Sequence, residues 1–104
     1  METRFWHKNY DYNVPTTVRY PKIPIHELVH TSASVTPNKP AATMYGTEIT
    51  FSDLRRQIVR MANALSGLGV KKGDRVGVHL PNSPQYIIAY YAAMSVGAIV
   101  VNLN

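Results

Sequence analysis

The sequence predicts an α/β chain, and three observations carry that reading. Residues 74–103 run strand, helix, strand: an alternating apolar stretch, a segment apolar nearly all round, then a continuous apolar run. Residues 51–66 set Leu54, Ile58, Met61, Ala62 and Leu65 along one stripe at helical spacing. Residues 41–50 break into two short β-type runs about Gly46-Thr47, the pattern of a hairpin.

Taken in order, residues 1–24 differ from the remainder of the chain. Phe5, Trp6, Tyr10, Tyr12 and Tyr20 are spread among Pro15, Pro21 and Pro24. Proline fixes φ and disfavours helix in the residue before it, so this stretch reads as an extended arm. An arm with five aromatics and no core of its own is expected to lie on an apolar surface, either its own domain or a second subunit, with disorder the remaining alternative. Residues 25–104 form the domain proper. Ile25, Leu28 and Val29 open a helix in which Pro24 can occupy the first turn, and Pro37 must end it. His26 and His30 fall on one face of that helix, but two imidazoles without a completing ligand do not make a zinc site.

After the hairpin, Thr50 is placed to cap the amphipathic helix, with Asp53 in position to reach back as in a capping box. Arg55, Arg56 and Arg60 point away from the apolar stripe. Gly67 and Gly69 can close the helix, and Lys72-Gly73-Asp74 turns the chain into a strand carrying Val76, Val78 and Leu80. Pro81 and Pro84 break that strand, and Ser83 caps a helix with Pro84 at its first position. Gly97 ends this helix, and residues 98–101 are apolar throughout, as in a parallel strand covered on both faces. Two parallel strands and a hairpin cannot cover their own edges, so the sequence reads as a truncated domain with an exposed sheet edge open to pairing.

Few residues offer chemistry. Gly67-Leu68-Gly69 is not a dinucleotide loop, because such a loop follows a strand and opens a helix, whereas these glycines close a helix and precede a strand. The junction Leu80-Pro81-Asn82-Ser83-Pro84 does present a helix N-terminus at a strand's carboxyl end, where anions bind. Its two prolines each remove an amide donor, and no lysine follows, so a structural cap is the default. There is no Walker-type loop and no nucleophile elbow, and Asp53 and Asp74 already serve a cap and a turn.

Composition narrows the class. The chain has 104 residues, enough for one modest core, and no cysteine, which excludes a disulfide framework and a thiolate metal site. No apolar stretch reaches the roughly 18 residues of a membrane span, and residues 1–12 lack the apolar core of a signal peptide. A cytoplasmic location is expected. The formal charge of +5 would suit an anionic partner. Arg55, Arg56, Arg60, Lys71, Lys72 and Arg75 bracket one helix and its exit without interleaved aromatics, which argues for a solvated face and against a nucleic-acid surface.

Resemblance goes further than chemistry. The blocks Pro37-Asn38-Lys39-Pro40-Ala41-Ala42, Ile49-Thr50-Phe51-Ser52-Asp53-Leu54, Ala62-Asn63-Ala64-Leu65, Gly69-Val70-Lys71-Lys72-Gly73-Asp74-Arg75-Val76, Leu80-Pro81-Asn82-Ser83-Pro84 and Gly97-Ala98-Ile99-Val100-Val101-Asn102 resemble, in order and spacing, the opening of the AMP-binding, acyl-adenylate-forming superfamily. In the arm, Trp6, Tyr10, Val14-Pro15, Tyr20-Pro21 and Ile23-Pro24-Ile25 are similar to the lead-in of long-chain fatty-acid–CoA ligases. The resemblance implies a parent enzyme that activates a fatty acid with Mg-ATP to acyl-AMP and transfers the acyl group to coenzyme A. It is expected to be cytoplasmic, with peripheral membrane contact open to it. The family's phosphate loop, its Tyr/Thr-Glu motif, its ribose-binding aspartate and its hinge lysine all lie downstream of the matched segment. The chain is therefore expected to be an inactive N-terminal piece of the large adenylate-forming domain, with no catalytic, cofactor-binding or metal residue of its own. Its partners would be the rest of the parent enzyme and a second copy, met through the arm at Phe5, Trp6, Tyr10 and Tyr12 or through the sheet edge. The rival readings are a stand-alone Rossmann-like ligand-binding module and a protein-interaction module.

Overall fold

A computed structural model describes residues 3–104. Its elements are a 3₁₀ turn, Phe5–Asn9, then α1 (Glu27–Val35), β1 (Pro40–Met44), β2 (Thr47–Thr50), α2 (Phe51–Gly67), β3 (Arg75–Val78), α3 (Pro84–Ser95) and β4 (Ile99–Asn102). β1 and β2 form an antiparallel hairpin, and β3 and β4 a separate parallel pair joined through α3. The mixed α/β architecture and the βαβ unit are thus both present.

Four details depart from the expectations. The arm is not extended throughout, since Phe5–Asn9 winds into the 3₁₀ turn. Helix α1 begins at Glu27, because Pro24 and Ile25 spend their carbonyls on a preceding turn, accepting from the amides of Glu27 and Leu28. The hairpin turns at Tyr45-Gly46, one residue earlier than Gly46-Thr47. Both residues have positive φ, 50° and 79°, as a two-residue loop of primed type requires. Asp53 completes no capping box: Thr50 Oγ1 accepts from the Asp53 amide at 3.1 Å, while the Asp53 carboxylate pairs with Arg56 one turn on.

The helix ends obey backbone rules closely. At α2 the amides of Gly69 and Val70 donate to the carbonyls of Ser66 and Leu65 at 3.0 and 3.1 Å, a Schellman closure with Gly69 left-handed at φ 96°. At α3 the same closure joins Gly97 to Met94 and Ala98 to Ala93, both at 3.0 Å. Gly97 has φ 81°, and a Cβ there would meet Lys72 Cβ and Cγ at 3.1 Å. That close approach brings the Lys71–Asp74 turn against the start of β4, where the Gly73 amide donates to Gly97 O and the Ile99 amide to Asp74 O.

The core is small. Val29, Leu54, Ile58 and Ala92 form its centre, with Ile49, Ala62, Leu65, Ile87, Ile88 and Tyr91 packed around it. The predicted stripe of α2 faces this centre, except that Met61 lies at its edge and is exposed. Burial around α3 and β4 is less than the sequence suggests. Most of α3 is half-buried, with only Ala92 and Ala93 fully enclosed, and Ile99 and Val101 of β4 are exposed. The physical reason is the sheet itself: two strands leave one face of β4 uncovered. The radius of gyration is 17.5 Å, against about 13 Å for a compact chain of this length, so the arm projects beyond the packed part.

Two substitutions separate backbone conformation from close packing. Gly69→Ala adds a Cβ at positive φ into open space and should cost about 1–2 kcal/mol. Gly97→Ala carries the same conformational cost plus the Lys72 overlap, so its urea midpoint should fall further; equal losses would show that the overlap relaxes freely.

Candidate functional site

In an open parallel sheet, ligands bind outside the carboxyl ends of the strands. Here that end is built from the β3–α3 junction and the last residue of β4. Ser83 is extended (φ −160°, ψ 162°), and its Oγ accepts from the Tyr86 amide at 3.3 Å and donates to Pro81 O at 3.0 Å. Tyr86 then reaches across and donates its phenolic hydrogen to Asn102 Oδ1 at 2.5 Å, tying the first turn of α3 to the end of β4. The Tyr86 ring stacks on Tyr90 at 5.9 Å between centroids, and Tyr90 meets Tyr91 edge-on at 5.5 Å.

A groove of about 340 Å³ runs beside this junction, between Asn82, Ser83 and Tyr86 on one side and Ala42, Thr43 and Met44 of β1 on the other. The amides that would bind an anion there are largely committed. Pro84 has none, and those of Tyr86 and Ile87 already donate to Ser83. The junction is a helix cap that positions two strands. A second groove, of about 530 Å³, lies between α2 and α3, where Met61, Ala64, Leu80, Ile88 and Ala89 make an apolar floor beside Arg60.

The other singled-out residues do not converge. His26 precedes the first residue of α1 without a capping hydrogen bond from its side chain, and faces the Glu27 carboxylate at 3.7 Å. Among the described residues, no three His, Cys, Asp or Glu side chains gather where they could hold a metal ion. Arg55 approaches Ser34 Oγ at 3.4 Å and Arg56 pairs with Asp53, both on the exposed side of α2. In the arm, Phe5 and Trp6 meet edge-on at 4.9 Å, and His7 lies 5.3 Å from Tyr10, while Tyr12 stands outside this cluster. Phe5, Trp6, Tyr10 and Tyr12 are all exposed, as is Tyr20. No local signal in the sequence marks the Tyr86–Asn102 bond. The i, i+4 spacing of Tyr86 and Tyr90 was a readable signal for the ring stack, whereas Asn102, sixteen positions on, enters only through the fold.

Hairpin, capped junction and βαβ unit together define an α/β fold whose parallel strand ends gather at the β3–α3 junction. Residues 29–104 match the family described as AMP-binding enzyme, and the chain belongs to that family. It is similar to the long-chain-fatty-acid–CoA ligase of Bacillus subtilis (strain 168), with 36% identity over 99 residues, 95% of this chain and 18% of the relative. It is also similar to a feruloyl-CoA synthase from an Amycolatopsis species, 39% identical over 72 residues, 69% of this chain and 15% of the relative. Among solved structures, a Mycobacterium tuberculosis fatty acyl CoA synthetase superposes with a TM-score of 0.73 at 30% identity, over 78% of this chain and 16% of the other. The chain thus spans less than a fifth of the length of these relatives.

Tyr86→Phe removes one exposed hydrogen bond and keeps the ring stack. It should lower stability by about 0.5–1.5 kcal/mol, read by thermal unfolding; no change would show that the bond to Asn102 is exchanged for water at no cost.

Proposed function

We propose that this chain is the opening scaffold of an acid–CoA ligase acting on a fatty acid. In that reaction the acid's carboxylate oxygen attacks the α-phosphorus of ATP, and pyrophosphate leaves. The coenzyme A thiolate then attacks the acyl carbonyl, and AMP leaves. The obstacle in the first step is the approach of two anions, which a metal ion and fixed donors offset. In this reading those groups belong to later parts of the enzyme. The residues here fix the start of the fold, with an arm at 1–24 and a domain from 25 onward.

The observation that carries the fatty-acid reading is the reach of the similarity. The alignment with the Bacillus subtilis ligase leaves only five residues of this chain outside it, so it runs through the arm as well as the domain. The feruloyl-CoA synthase alignment is short enough to fit within the domain alone. In the same reading, the exposed edge and outer face of β4 and the groove between α2 and α3 receive the rest of the enzyme, and a second copy is a further partner. The enzyme would be cytoplasmic with peripheral membrane contact; among the described residues no helix is long and apolar enough to cross a membrane.

Two measurements test this. Titrating Mg-ATP into the 104-residue chain by calorimetry should give no saturable binding in the millimolar range. One-to-one saturation would instead favour a stand-alone nucleotide-binding module. Grafting the chain in place of the matching segment of the Bacillus subtilis ligase should preserve fatty-acid-dependent release of AMP and the host's preference among acids. A folded chimera that forms no acyl-CoA would refute the scaffold role.

A further inference from the structure

We draw no further inference here: the strongest candidate, the apolar groove between α2 and α3 floored by Met61, Ala64, Leu80, Ile88 and Ala89 beside Arg60, carries none because nothing in the structure shows what covers it.

Discussion

Leu54 and Ile58 of α2 press against Ala92 of α3, and the rest of the structure depends on that contact. Ala92 and Ala93 are fully enclosed, and Ala92 lies in one cluster with Leu54 and Ile58. Val29 of α1 closes the third side. Because α2 starts from the hairpin through the Thr50 cap, the contact fixes the hairpin as well. Because α3 is the crossover between β3 and β4, it also fixes the parallel pair. Truncating Ile58, 1% exposed, would remove about 2–5 kcal/mol, comparable to the whole stability of a domain this small.

A core this limited leaves much apolar surface facing water. Ile99, Val101 and Leu103 are exposed along and beyond β4, and the floor of the α2–α3 groove is open. These surfaces differ in kind from the arm. They are aliphatic, with regular backbone beneath them, so further strands and helices can cover them. The arm is aromatic, proline-broken and basic.

Local signals made most of the fold legible. The stripe of α2, the caps at Thr50 and Ser83 and the alternation of Val76 and Val78 each depend on residues a few positions apart, and they stand where the sequence places them, except that Met61 is exposed and β3 ends at Val78, leaving Leu80 outside the strand. The misreadings have a common cause. Tyr45 reads as a strand residue, yet it takes positive φ because the two-residue turn demands it. Asp53 suits a capping box, yet Arg56 one turn away competes for its carboxylate. The apolar run at residues 98–101 signals burial that two strands cannot provide. The Tyr86–Asn102 tie spans sixteen positions and exists only because α3 returns the chain beside β3. In the candidate site, the cap was readable and the cross-link was not.

The blocks that carry the family resemblance coincide with the positions that control the backbone. Ile49-Thr50-Phe51-Ser52-Asp53-Leu54 contains the cap of α2. Gly69 and Gly73, both at positive φ, bound the entry to β3. Leu80-Pro81-Asn82-Ser83-Pro84 is the cap of α3, and Gly97 is its left-handed end, pressed on Lys72. Each such position tolerates few residue types, for reasons of φ, a missing amide or a cap hydroxyl. Surface and core positions accept many. A backbone of this shape therefore favours those residue types at its turns and helix ends. Those demands come from the backbone and hold for any chain of this fold, and this chain is similar to both a fatty-acid–CoA ligase and a feruloyl-CoA synthase.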